Sequence, residues 1–418
     1  MAQYSGFERR IARLLESQPW LRDLIRKSYK RAVYFTALPK QKLQLSPRVQ
    51  LIDVAALCGI TAMDAFYFGY YDKCPWNKDG SLYLGHVLRN NKCYIAVCNI
   101  DEAKHEITGE TDAWNYQQGA MAQWLNNSTI IYNAYRENIL GSVLKDLEKN
   151  EALFYPFPVQ VVNPVKQEYL SLNYRRLSWL RPDYGYFKEC ANFKVKQDYD
   201  EDGIWKIDYL ARQHQLIIKI SDLVKEAPAE FAEASHKVNH CYYSPDGKLF
   251  VFLHRWIDKS GKYSRLICAD ADGNNRKTLL DFRMISHYSW INNTELIVWA
   301  RTPEYGDAYI TINALTGKYA KLDDGNLSRY GDGHPTISND KNYIITDTYP
   351  DKSRLRTLLL FNMNTKTPAA LGTFFAPWKF DDEKRCDLHP RWNNGSNAVS
   401  IDAAHEGIRK NYIIKPGI

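Results

Sequence analysis

The chain has 418 residues, 45% of them apolar and 13% aromatic, with 55 Lys and Arg against 48 Asp and Glu for a formal charge of +7. That composition supplies a sizeable core and excludes the disordered, collagen-like and coiled-coil classes. No run approaches the roughly 18 apolar residues of a membrane span, and eight cysteines without a C-x-x-C pair suit a reducing compartment rather than a disulfide framework or zinc site.

The N-terminal MAQYSGFERRIARLL places charges where a signal peptide needs its apolar segment, so a cytoplasmic location is expected. The charge excess is local. Residues 1–45 hold ten basic and three acidic side chains, and the other 373 residues carry 45 of each sign. Over 6–34, Phe7, Ile11, Leu14 and Leu15 recur at helical spacing opposite Arg9, Arg10 and Arg13. Ser17 and Pro19 then stop one helix and start another. Residues 1–47 are therefore expected to form a basic amphipathic arm. Peripheral contact of residues 6–34 with an anionic membrane is one use for it; packing on the body or on a second copy is the other.

From Val49 the chain changes to short β-runs between Asp, Asn and Gly turns, and helical periodicity returns only near 139–150 and 222–235. The β-runs repeat. His240-Cys-Tyr-Tyr-Ser-Pro-Asp-Gly precedes KLFVFLH, and His287, His334 and His389 open equivalent segments before TELIVWA, KNYIITD and SNAVSID. Lys73 and Met121 open two earlier copies, a looser one starts near 157, and the steps between successive histidines are 47, 47 and 55 residues. A period of 40–50 residues built from antiparallel strands reads as a β-propeller blade. Starts near 70, 118, 157, 237, 285, 332 and 387 give an all-β, seven-bladed β-propeller over 48–418, with an insertion in the third blade around 178–203. The last blade has three strands, and the run 49–54 is expected to supply the fourth.

First strands of propeller blades line the axis, and a hairpin returns the end of each second strand to the face where the first began. Two sets of residues then share a face. The leading positions are Lys73, Met121, His240, His287, His334 and His389; the second-strand ends include His86, Arg89, Arg136, Arg175, Arg176, His254, Arg255, Arg301, Asp347 and His405. Four histidines at one repeat position are suited to a divalent metal, with Asp387 as added carboxylate; a hydrogen-bonded polar plug is the alternative. The arginines suit an acidic ligand, whereas a body with zero net charge does not suit nucleic acid. No G-x-S-x-G, P-loop or G-x-G-x-x-G motif is present.

The histidine-led segments, with SPDGKLFVFLH, RLICADADGNN and NAVSIDAAHEG, resemble the oligogalacturonate lyase family from about Val49 to the C-terminus. The resemblance implies a cytoplasmic seven-bladed propeller with a divalent metal, typically manganese, at its axis. It implies His240 as the proton-abstracting base and His287 and His389 as metal ligands. Asp387 stands where the family has a further histidine ligand, and Lys384 where it has a glutamine. The implied reaction is β-elimination from an acidic, uronate-containing oligosaccharide. Here His240 is expected to be catalytic, Lys73, Arg255, Arg301 and His405 to bind substrate, and His287, His334, Asp387 and His389 to hold the metal, Mn by resemblance to the family. Two other readings use the same axis: a glycan-binding or glycosyltransfer protein of envelope or capsular polysaccharide synthesis, and a non-catalytic propeller scaffold.

Overall fold

The computed structural model describes residues 38–186 and 198–417, together with residues 28 and 34–36. The expected arm over 6–34 therefore lies almost wholly outside the described residues. The rest of the chain is all-β and propeller-like, a succession of antiparallel sheets in chain order.

The fourth unit illustrates how sequence becomes sheet. Its strands are Ser235–Tyr243, Leu249–Asp258, Gly261–Asp270 and Lys277–Leu280. The first turn closes with Gly247 N–H donating to Ser244 O at 2.9 Å, while Ser244 Oγ donates to Asp246. Gly247 sits at φ 67°, a conformation that favours glycine over residues with a Cβ. Along the second strand, Phe250 and Phe252 pack into a core shared with the preceding sheet, and Val251 and Leu253 into one shared with the next. Both faces are buried, which is why KLFVFLH reads as an unbroken apolar run rather than an alternation.

Four sheets have this four-stranded form. A fifth, beginning at Thr336–Ile337, gains an outer strand because Leu43–Leu45 pairs with Thr367–Phe375. The remaining sheet is composite. Ala65–Tyr67, Tyr83–Arg89, Lys92–Asn99 and Lys104–Thr111 follow one another, and a parallel contact between Lys410 and Phe66 joins them to the three C-terminal strands. Gln50–Asp53 pairs antiparallel with Lys410–Lys415, the pairing expected for the run 49–54.

Two expectations change. Residues 139–150 are not helical: Ile139–Asp146 is a strand paired along its length with Thr129–Arg136. Cross-strand packing overrides the weak helical period there, and Gly141 lies against Tyr155 O with no room for a Cβ. Of 222–235 only the short helix Ile220–Lys225 and a 3-10 turn at Ala229–Phe231 are helical. The insertion in the third sheet carries a helix, Tyr174–Leu180, capped by Asn173, and a 3-10 turn, Pro182–Tyr184. At the edge of the arm, Tyr34 stacks on Phe375 at 6.4 Å and meets Trp378 edge-on at 5.7 Å.

One buried clamp ties the C-terminal strands to the first ones. Asp402 accepts hydrogen bonds from Phe68 N and Gly69 N, both at 3.0 Å, and from Asn411 Nδ2 at 2.8 Å. It is paired with Arg391 at 2.9 Å, whose guanidinium also donates to Gly69 O, Tyr70 O and Ser400 Oγ. Gly69 itself has φ 120°, and a Cβ there would fall 2.8 Å from Gln118 backbone carbon, so no other residue fits. Removing one partner of a buried, fully bonded ion pair costs about 3–5 kcal/mol because the other charge is stranded. Arg391→Met should therefore lower unfolding stability by about that amount in denaturant titration; a loss below about 1 kcal/mol would contradict the clamp.

Candidate metal and histidine centre

Irregularities in the first strands bring the four histidines together. The register of Ser235–Tyr243 shifts between Asn239 and Tyr242, and that of Ile285–Trp290 between Ile285 and Tyr288. His240 and His389 occupy left-handed backbone, φ 57° and 45°, as does Met121 at φ 56°. Such bulges redirect a side chain out of the pleat, and positive φ in a non-glycine residue is held only by firm surroundings. Ring centroids lie 4.2 Å apart for His287 and His334 and 4.3 Å for His334 and His389.

Each of these three rings is anchored through Nδ1. His334 Nδ1 donates to Asp347 at 2.8 Å, His287 Nδ1 to Asp332 at 2.9 Å, and His389 Nδ1 to Gly69 O at 2.8 Å. These partners accept, so Nδ1 carries a proton, and the neutral tautomer with that proton has its lone pair on Nε2. Asp347 does more: its carboxylate also accepts from the backbone N–H groups of His334, Leu388 and His389 at 2.9–3.1 Å. It thereby fixes two histidine-bearing segments to each other.

The Nε2 atoms of His334 and His389 are buried without a hydrogen-bond partner. His334, His389 and Asp387 each offer one donor atom, a ring nitrogen or a carboxylate oxygen, and the three atoms lie within 4.8 Å of one another. Oriented imidazoles with free Nε2 beside a carboxylate are the donor chemistry of a borderline divalent cation, manganese among them. The residues fit the group. Asp387 is also held by two guanidiniums, Arg356 at 3.2 Å and Arg385. Burial works to raise its pKa; Arg385 and Arg356 overcome this and hold it well below the usual carboxylate range. Each of its oxygens keeps lone-pair capacity for a further partner.

His240 lies apart from that triad. Its ring stacks on Tyr288 at 4.4 Å, and Nε2 is 3.4 Å from Tyr71 Oη and 4.0 Å from Asp72. Burial, then the nearby His287, Lys73 and Arg255, push its pKa well below the ordinary imidazole value. A neutral imidazole has a lone pair to accept a proton. Tyr70 and Tyr71 pack between the histidines: Tyr70 meets His240, His334 and His389 edge-on, and Tyr71 meets His287 edge-on. Tyr184, from the insertion, covers Tyr70 edge-on at 5.7 Å.

Of the residues proposed from sequence, His240, His287, His334, Asp387 and His389 converge here. Lys73 reaches Asp72 at 2.7 Å, and Arg255 donates to Ile285 O at 3.1 Å close to His240. The structure does not bring Arg301 or His405 to the centre. Arg301 is exposed and bound bidentately by its cross-strand partner Asp307, and His405 packs between Phe374 and Tyr412. Lys384 is exposed, 6.0 Å over the Tyr116 ring. Among the other second-strand ends, His86 accepts from Ala120 N at 3.0 Å inside the core and Arg176 pairs with Asp202. The sequence reading passed over Tyr70, Tyr71, Asp72, Asp332, Arg356 and Arg385. The available signal was the tandem tyrosine of GYYDK just ahead of Lys73, the position aligned with the histidines.

No protein-family model and no curated protein sequence matches the chain. Solved structures do. An oligogalacturonate lyase from Vibrio parahaemolyticus aligns with a TM-score of 0.63 at 13% identity, over 89% of this chain and 96% of that one. An oligogalacturonate lyase in complex with manganese aligns at 0.62 and 12% identity, over 91% and 98%. At such identity the likeness is one of fold. Among the described residues no helix is long and apolar enough to cross a membrane.

The buried histidines make stability depend on pH with a definite sign. Burial lowers the pKa of His240, His287 and His389, and takes His86 to about 4. The unfolded chain titrates near 6.5, so below that pH it takes up protons that the folded chain refuses, and stability falls with pH. His86 alone is expected to remove about 3 kcal/mol between pH 6.5 and 4. Denaturation midpoints measured in chelator at pH 7.5, 6 and 5 should fall steadily; a flat profile would show that these rings are not held neutral.

Proposed function

We propose that the chain is a metal-assisted lyase that cleaves an acidic, uronate-containing oligosaccharide by β-elimination, at the centre of seven four-stranded units closed into a ring. The observation that carries the chemistry is the pair of orphaned Nε2 atoms on His334 and His389 beside Asp387. The ring is supported by a single cavity to which all seven units contribute, from Asp72 through Asn394, and by the pairing of Gln50–Asp53 with the last strand.

In this reading His334, Asp387 and His389 hold the cation, with His287 beside them. A divalent metal bound there supplies Lewis-acid neutralisation of a uronate carboxylate, which acidifies the neighbouring C–H. His240, neutral at pH 7, takes the C5 proton. The C5–H electrons form the C4–C5 double bond, the C4–O bond breaks, the departing oxygen takes a proton from solvent, and His240 returns its own to solvent. Lys73 and Arg255 provide cationic binding for the substrate carboxylates, bidentate in the case of arginine. The fold likeness to an oligogalacturonate lyase with manganese supports the metal and the substrate class. The arm over 6–34 is assigned to peripheral contact with anionic membrane on the cytoplasmic face, and the neutral body to a partner other than nucleic acid.

A second reading, glycan binding without chemistry, draws support from the burial of the histidines: His240 is 5% exposed and His334 and His389 2% each. Elimination separates the two. With Mn and a panel of acidic oligosaccharides, the wild-type protein should generate an unsaturated uronate that absorbs in the ultraviolet. His240→Ala should slow it by at least about 100-fold, the lower range for loss of a general base. Absence of product from the wild type across the panel would remove the lyase reading and leave binding.

A further inference from the structure

The histidines occupy one end of the first strands. At the other end, where the strands run into their turns, a cavity of about 820 Å³ opens. It is lined by Trp76, Trp124, Tyr242 and Trp290. The indole N–H groups of Trp124 and Trp290 are tied to Pro75 O at 2.7 Å and Tyr242 O at 3.1 Å, which fixes the orientation of both rings. Asparagine-rich turns, among them those at Asn126, Asn292 and Asn339, complete the wall. Lys78 and Lys341 are exposed at its edge.

The floor is the pair Asp72 and Lys73. Lys73 Nζ bonds one carboxylate oxygen of Asp72 at 2.7 Å, while the other, Oδ2, is buried and has no hydrogen-bond partner. The Asp72 side chain is fully buried. Asp72 offsets only part of the positive charge along the cavity, to which Lys78 and Lys341 add at its edge. The same Oδ2 is 4.0 Å from His240 Nε2, so Asp72, which lines the cavity, also borders the histidine centre.

We propose that this turn-side cavity binds an acidic oligosaccharide, with sugar rings against the aromatic walls and carboxylates paired with Lys73, Lys78 and Lys341. Aromatic walls suit the apolar faces of sugar rings, and a volume of 820 Å³ lies within the roughly 300–1,000 Å³ of small-molecule sites. Three lysines against one aspartate select an anionic chain over a neutral one. The ligand class rests on the reading above; the site itself uses none of the metal-binding residues.

The test is isothermal titration of the full chain in EDTA with trigalacturonate and, as neutral probe, maltotriose. Trigalacturonate should bind, and maltotriose should bind at least tenfold more weakly. The double variant Lys78→Glu/Lys341→Glu, with both changes on exposed turns, should lose tenfold or more in affinity at an unchanged melting temperature. Wild-type affinity in the double variant, equal affinity for both sugars, or no binding of trigalacturonate at millimolar concentration would each overturn the proposal. Lysine-dependent binding without elimination would overturn the lyase reading alone, and elimination without lysine-dependent binding would overturn this site alone.

Discussion

A buried carboxylate is held in place by the donors and cations around it, and two such groups organise this molecule. Asp402 is bonded to the backbone of Phe68 and Gly69, 334 and 333 residues away in sequence, and to Arg391. The clamp sets the path of the chain through Gly69, whose carbonyl orients His389, and delivers Tyr70 and Tyr71 between the histidines. Asp347 does the same on the other side, holding His334 by ring and backbone and the Leu388–His389 segment by its two N–H groups. The energetic demand of satisfying two buried charges thus becomes the positional accuracy of the centre.

The carboxylates differ in task. Asp332, Asp347 and Asp402 orient their neighbours. Asp387 lies beside the rings of His334 and His389 and has its charge offset by Arg356 and Arg385. Asp72 joins the histidine end to the turn-side cavity through its proximity to His240 and its pair with Lys73. The histidine end and the turn-side cavity therefore meet at Asp72, beside His240.

Much of this was legible in the sequence because a repeat places equivalent residues at equivalent points. The bulges that turn His240 and His287 inward recur at the same place in their strands, so a shared repeat position predicted a shared location. Asp387, two residues before His389, was found by the same logic. The frame failed where a unit departs from it. In the first unit, Gly69–Asp72 is interposed between Ala65–Tyr67 and the Trp76–Tyr83 bridge, so Tyr70 and Tyr71, not Lys73, reach the histidines. The arginines at second-strand ends misled for a local reason: Arg301 lies directly across its hairpin from Asp307, and such a pair is satisfied at the surface without any ligand. His405 is likewise held locally, by its packing between Phe374 and Tyr412 and its contact with Glu406 at 3.7 Å. The apparent helix at 139–150 yielded to pairing with a strand ten residues earlier, which no local period encodes.

The central claim is that His334, Asp387 and His389 form a metal site. Its most direct measurement is the manganese content of the purified chain after equilibration with excess Mn and removal of the free ion, read by elemental analysis beside a His334→Ala/His389→Ala variant of matched stability. The account predicts one tightly held ion per chain in the wild type and none in the variant. Equal content in the two, or no retained ion in the wild type with any first-row divalent metal, would contradict it.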